Sequence, residues 1–189
     1  MLEIEQSVRV RDAMITVFWD AFCRDASLEA EISEVLAMAR VSESAFYEQF
    51  QSKEDLVSAF LKDRQVIWMR WFESEIEARH EATGGGLEII ADVSQEGFED
   101  PKCLGLAFIN VVAEGGDTYN EPFAIAREQK EHLRRFIERL ATKMGLQCPD
   151  MAASTAVLII ERTIECALRT GSLKEAQTAR LLFQCLQHA

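Results

Sequence analysis

The stretch from Val35 to Leu56, VLAMARVSESAFYEQFQSKEDL, constrains what this chain can fold into more than any other segment. A helical pattern of apolar residues stops near Arg40, and Ser42 is then well placed to be the N-cap of a new short helix. In that helix Phe46 and Phe50 are four residues apart, so both can face the interior. Two short helices joined by a tight turn are typical of the helix-turn-helix motif.

Another helix begins directly after this motif. Ser52 with Asp55 three residues later is a capping-box-like pair, and Lys53 would be the first helical residue. No Gly or Pro interrupts the segment that follows until about His80, which predicts an unusually long fourth helix. The sequence ATGGG at Ala82–Gly86 is the clearest break in the chain.

The remaining pattern predicts an all-α fold with about nine helices, because no strand-like alternation bounded by turn signals occurs. The predicted helices lie around Val8–Phe22, from about Leu28 to Arg40, from Ser42, from Ser52 to about His80, and over about Leu87–Gly97, Leu104–Glu114, Phe123–Met144, Pro149–Thr170 and from Ser172 onward. We expect two domains. Residues 1–52 would hold the helix-turn-helix, and residues 53–189 would form a second bundle joined to it by the fourth helix.

Composition excludes several classes of protein. The chain carries a net charge of −12 and 48% hydrophobic residues, without an apolar run of about 18 residues or a signal-peptide layout, so a cytoplasmic protein that does not enter a membrane is expected. The five cysteines are scattered and odd in number, which argues against a disulfide framework, and no Cys/His spacing predicts a metal. No cofactor motif or catalytic constellation can be assembled, so we expect no enzyme.

The segment Phe22–Leu56 resembles the N-terminal domain of the tetracycline-repressor (TetR) family of transcriptional regulators. The residues that carry this resemblance are Val41-Ser42, Tyr47 and Phe50, and the run Ser52-Lys53-Glu54-Asp55-Leu56. The predicted helix plan and the later segment KCLGLAFINVVAE are similar to the family as well. The resemblance implies an N-terminal three-helix DNA-binding domain and a C-terminal bundle that binds a small molecule and forms a homodimer.

The resemblance also implies which residues face DNA, and several of these depart from the family pattern. The helix start carries Glu31, the turn carries Arg40 in place of glycine, and the recognition helix carries Glu43. Acidic side chains weaken non-specific DNA affinity because phosphates repel them, although a glutamate can accept a hydrogen bond from a cytosine amino group. The predicted DNA-binding residues are Glu31, Arg40, Ser42, Glu43, Ser44, Ala45, Tyr47 and Lys53.

A ligand cavity in the second domain is a further implication of the resemblance. Aromatic residues would form its walls, and a few polar residues within the apolar stripes would orient a ligand. For each aromatic residue alone, packing in the core is the simpler interpretation. The predicted pocket residues are Trp68, Trp71, Phe72, Phe98, Phe108, Asn110, Glu114, His132 and Phe136.

The last two predicted helices carry a strong apolar set that suits a symmetric four-helix dimer interface, with packing onto their own domain as the alternative. The predicted interface residues are Val157, Ile160, Ile164, Leu168, Ala179, Leu182, Phe183 and Leu186.

Two functions follow from these observations. The first is a homodimeric regulator that binds double-stranded operator DNA and is released by an unknown small-molecule effector. The second is a ligand-binding or protein-interaction module of the same fold with weakened or lost DNA binding, because residues 1–62 contain six Lys/Arg against twelve Asp/Glu. The sign of regulation, the operator sequence and the effector do not follow from the sequence.

Overall fold

The computed structural model describes residues 2–25, 30–99, 120–170 and 174–187, and these residues form eight helices and no strand. In chain order they are α1 (Leu2–Asp25), α2 (Ile32–Ala39), α3 (Glu43–Gln49), α4 (Lys53–Thr83), α5 (Glu88–Glu99), α6 (Asn120–Lys143), α7 (Pro149–Thr170) and α8 (Lys174–Gln187). The all-α prediction is therefore confirmed. The helix predicted over about Leu104–Glu114 lies outside the described residues.

The described residues fall into two compact units. Those of the first unit come from the ranges Met1–Arg64 and Leu106–Ala126, and those of the second come from Gln65–Gly105 and Arg127–Ala189. Helix α4 has 31 residues, of which those up to Arg64 are assigned to the first unit and those from Gln65 to the second.

An aromatic cluster holds the first unit together. Phe60 of α4 packs against Phe18, Trp19 and Phe22 of α1, with ring centroids 5.2 to 5.9 Å apart. Phe18, Phe22 and Phe60 are each at most 2% exposed. Burial of a single such side chain contributes about 1.5–3 kcal/mol, so α1 and the start of α4 form a firm base for α2 and α3.

Local signals fix where α4 begins and ends. The Asp55 amide donates to Ser52 Oγ at 3.2 Å, as expected of a capping box, while the Asp55 carboxylate accepts from the Gln51 amide at 3.1 Å rather than from that of Ser52. At the other end Gly84 has φ +64° and donates its amide to the His80 carbonyl. A glycine takes this left-handed conformation at little cost, which explains why ATGGG ends the helix.

In the second unit α8 packs against α5 and α7. Polar contacts join α8 to α5 and to the residue that precedes it. Arg180 of α8 pairs with Asp92 of α5, and the Leu87 amide donates to Gln187 Oε1 at 3.1 Å. No helix among the described residues is long and apolar enough to cross a membrane.

Candidate functional site

The turn between α2 and α3 is closed by two backbone hydrogen bonds. The Val41 amide donates to the Leu36 carbonyl at 3.1 Å, and the Arg40 amide donates to the Ala37 carbonyl at 3.4 Å. This pattern requires a left-handed residue at Arg40, whose φ is 54° and ψ is 43°. Arginine therefore occupies a conformation that glycine would adopt at lower cost, and its side chain is exposed beside the turn.

Helix α3 starts as the sequence predicted. Ser42 is its N-cap and accepts a hydrogen bond from the Ala45 amide at 3.3 Å, and Ser44 Oγ lies 3.0 Å from Ser42 Oγ. Phe46 is fully buried, while Tyr47 is 54% exposed and meets Phe46 edge to face. Ser42 and Ser44 thus place two exposed hydroxyls at the start of α3, and Tyr47 places an exposed phenol about one turn later.

Two carboxylates of the motif are exposed as well. Glu31 is the N-cap residue of α2, is exposed, and its side chain makes no capping hydrogen bond. Glu43 is the first residue of α3 and is exposed as well. Lys53, the first residue of α4, is half-buried. The structure therefore leaves the acidic substitutions of the motif on its surface.

Helix α1 fixes the far end of α3 through contacts that the sequence analysis missed. Arg11 donates to the Gln49 carbonyl at 3.1 Å and its guanidinium stacks 4.5 Å from the centre of the Phe50 ring. Gln49 Nε2 in turn donates to Ser7 Oγ at 2.8 Å. A cationic residue in the apolar stripe of α1, one turn before Met14, was the only signal for this contact. These bonds fix the orientation of α3 on its own unit.

Four of the predicted ligand-pocket residues come together in the second unit. Trp68 stacks on Phe72 with ring centroids 4.6 Å apart, and Phe72 also meets Trp71 and Phe136. Trp71 lies against α5, since a Cβ added to Gly97 would come within 3.1 Å of its ring. Three of the four are buried as core. Phe108, Asn110, Glu114 and the side chain of Phe98 lie outside the described residues.

The fifth described residue of the predicted pocket, His132, lies elsewhere, in an open groove between α4 and α6. This groove has a volume of about 590 Å³, within the range of small-molecule sites. His132 Nε2 lies 3.3 Å from Glu73 Oε1, and Arg139 Nη2 lies 3.7 Å from the same oxygen. The lining residues are Gln65, Val66, Met69, Arg70, Glu73, Ser74, Glu77, Ala78, Glu81 and His132.

The residues predicted for a dimer interface divide into two sets. Most are buried inside the single chain and can give little area to a second copy: Val157, Ile160, Ile164, Ala179 and Phe183. Leu182 is 48% exposed and Leu186 is half-buried. The side chain of Leu168 lies outside the described residues.

Apart from Leu182, the large apolar side chains that α7 and α8 leave exposed are neighbours of the predicted interface residues. Leu158 and Leu181 are each 63% exposed, and Met151 is 64% exposed. An apolar groove of about 360 Å³ runs between the two helices beside Leu158, Thr178 and Leu182. The apolar stripe of each helix is therefore wider than its buried face.

No protein-family model and no curated protein sequence matches this chain. Solved structures do match it. NemR of E. coli in its reduced form is 13% identical with a TM-score of 0.78, over 94% of this chain and 97% of that one. A TetR-family regulator from Cytophaga hutchinsonii is 14% identical with a TM-score of 0.78, over 97% and 95%. The multidrug binding protein EbrR, complexed with imidazole, is 16% identical with a TM-score of 0.69, over 93% of each chain.

The chain therefore has the fold of TetR-family transcriptional regulators along nearly its whole length. At these identities the likeness concerns the fold and not the chemistry of any site. Among the described residues no group of His, Cys, Asp and Glu is arranged to hold a metal ion.

Proposed function

We propose that this protein is a ligand-responsive transcriptional regulator, acting as a repressor, that binds operator DNA as a homodimer. The observation that carries the proposal is the helix-turn-helix at α2 and α3, in which Ser42, Ser44 and Tyr47 face outward while Phe46 and Phe50 anchor the helix. Exposed hydroxyls on a firmly held helix can donate to phosphates and base edges in the major groove.

A homodimer would form through the open apolar surface of α7 and α8. Leu158, Leu181 and Leu182 give this surface its apolar character, and a symmetric interface would pair it with the same surface of a second copy. Leu158→Glu should therefore yield monomers in sedimentation experiments, since it would place a charge in a buried interface. Leu158 is exposed in the single chain, so the fold of the protomer should survive the substitution.

An effector in the second unit would act by favouring a dimer with the wrong spacing between the two copies of α3. It can shift the equilibrium only as far as its affinity differs between the two conformers. Such an effector lowers operator affinity without touching DNA, and operator DNA must lower effector affinity by the same factor.

Selection from a pool of random duplexes tests the proposal. The purified protein should enrich a defined sequence at low and at moderate salt, with an affinity that falls as salt rises because phosphate contacts release counterions. Tyr47→Ala should reduce the enrichment, and Tyr47 is exposed enough for the fold to tolerate the change. A pool that stays random at both salt concentrations would disprove DNA recognition.

The exposed carboxylates favour a second candidate, a ligand- or protein-binding module of the same fold without useful DNA affinity. Glu31 and Glu43 both face outward in the part that would approach phosphates. Under this alternative the double variant Glu31→Thr/Glu43→Lys should gain DNA affinity that the parent lacks. Tight binding by the parent would eliminate the alternative.

A further inference from the structure

Four of the seven residues of α3 are exposed: Glu43, Ser44, Tyr47 and Glu48. Residues three or four apart are neighbours on a helix, so these four side chains form one exposed face. The helix contains no lysine or arginine. Because phosphates repel carboxylates, Glu43 and Glu48 can favour DNA binding only through contacts to base edges.

The hydroxyl groups beside Glu43 are partly occupied within the protein. Ser42 Oγ accepts a hydrogen bond from the Ala45 amide at 3.3 Å and lies 3.0 Å from Ser44 Oγ, so the bond between the two hydroxyls takes up one of their protons. At most one hydroxyl proton remains for DNA, whereas the oxygens of an ionised Glu43 can only accept. The start of α3 therefore offers DNA more acceptors than donors.

Neither carboxylate of this face is neutralised within the described part of the chain. Glu43 and Glu48 have no ion-pair or hydrogen-bond partner there. A carboxylate of the same motif does pair where a cation is close, since Glu34 of α2 lies 2.6 Å from Arg24. A carboxylate that loses its water against DNA is costly unless a donor replaces that water. Each of these glutamates therefore needs a donor on the DNA or must stay in solvent.

The bases differ in what they offer to a carboxylate in the major groove. Guanine presents two acceptors, and thymine presents an acceptor and a methyl group. Adenine presents an amino donor beside an acceptor, which repels a carboxylate. Cytosine is the one base that presents an amino donor without an acceptor of its own. A carboxylate on a recognition helix therefore favours cytosine over the other three bases.

Glu43 is better placed than Glu48 for a base contact. The first residues of a recognition helix are those that meet base edges in the major groove. Glu43 is the first residue of α3, whereas Glu48 is the last but one. The turn that carries Glu43 is also held firmly, because Ser42 caps it and Phe46 is fully buried. A firmly held side chain selects between bases, because a hydrogen bond weakens steeply away from good geometry.

We infer that Glu43 determines the specificity of this protein by accepting a hydrogen bond from the amino group of a cytosine in each operator half-site. Glu48 makes no such contact and only opposes binding through its charge. The inference rests on the proposed function, because it concerns the same helix and the same DNA, and it adds the base that this helix requires.

Selection from random duplexes by the intact protein and by Glu43→Gln tests the inference. The parent should enrich a cytosine at one position of each half-site. Glu43→Gln should enrich adenine at that position, because a glutamine amide can pair with both N6 and N7 of adenine. In binding measurements on the selected duplex, exchange of this cytosine for adenine should weaken the parent by about tenfold and should strengthen Glu43→Gln. Partial unfolding would weaken binding to every sequence and would not exchange one preferred base for another.

Glu48→Gln is the matched control, since it removes the same charge from the exposed face of the same helix. It should bind every duplex more tightly than the parent and still enrich cytosine. A duplex with N4-methylcytosine at the selected position tests the parent itself, because the methyl group replaces the amino hydrogen that points into the major groove. This duplex should bind the parent about tenfold more weakly than the unmethylated one.

Failure of the inference differs from failure of the proposed function. If the parent enriches a defined sequence but Glu43→Gln enriches the same bases, or if N4-methylcytosine binds as well as cytosine, Glu43 does not read a cytosine and the regulator still stands. Loss of the cytosine in Glu48→Gln would likewise overturn the assignment to Glu43. A parent pool that stays random would refute the regulator and, with it, the inference.

Discussion

Arg40 adopts the left-handed conformation at φ 54°, and replacing it should separate the stability of the helix-turn-helix from its affinity for DNA. A residue with a Cβ pays about 1–2 kcal/mol in this region. Glycine avoids that cost but loses about 0.5–1 kcal/mol more conformational entropy on folding than other residues. Arg40→Gly should therefore stabilise the first unit by about 0.75 kcal/mol, the difference between the midpoints of these two terms.

Arg40→Ala is the matched control, since it removes the same charge and keeps the strained conformation. The stability of the first unit should be measured by urea unfolding of protein labelled with 5-fluorotryptophan. The resonance of Trp19 reports on this unit because the ring packs against Phe22 and Phe60 in its core. Both variants should weaken DNA binding alike, with a salt slope reduced by about one if Arg40 contacts a phosphate.

The comparison of Arg40→Gly with Arg40→Ala, in stability and in DNA affinity, tests this reasoning. If Arg40→Gly unfolds at the same urea concentration as Arg40→Ala, the left-handed turn is not what costs stability at this position. A DNA affinity that differs between the two variants would show that the turn geometry, and not the lost charge, controls the contact.

Three other predictions concern single sites. Gly86→Ala should destabilise the protein by about 1 kcal/mol in thermal unfolding. An added Cβ would lie 1.6 Å from Gln187 Oε1 and would break the hydrogen bond that this oxygen accepts from the Leu87 amide. In a Gln187→Ala background the same substitution should no longer be destabilising. Ser42→Ala should cost about 1 kcal/mol in the same assay, while Ser42→Thr should keep most of the cap. Glu131 accepts hydrogen bonds from Arg134 and Arg135 of the same helix, which lower its pKa to about 2. The stability that these bonds contribute should be complete above pH 4.5 and be lost as the pH falls toward 2. A carbon-13 titration that gives an ordinary glutamate pKa would contradict this prediction.

The sequence was most informative where a local rule decides the conformation. Ser42, Ser52 with Asp55, and Gly84 act through neighbouring backbone groups, so their roles were readable from spacing alone. Phe46 and Phe50 were predicted to face inward and are buried, because four residues make about one helical turn.

The way in which the helices pack against one another was harder to predict from the sequence. In α7 and α8 the apolar stripe is wide, and only the packing of these helices on their own unit decides that Val157 and Phe183 are buried while Leu158 and Leu181 are exposed. The groove between α4 and α6 depends on residues 65 to 81 meeting His132, and spacing along one helix cannot show which residue of another lies opposite. The contact of Arg11 with Phe50 could not be predicted for the same reason, since the two residues lie on different helical segments.

The symmetry of the selected DNA tests the central claim most directly. A homodimer with two copies of α3 should enrich an inverted repeat whose half-sites lie about 34–36 Å apart, one helical turn, or a multiple of it. Sequencing of the enriched pool, with Leu158→Glu as a monomeric control that loses the repeat, gives this measurement. An enriched single site without a repeat, or no enrichment, would contradict the account.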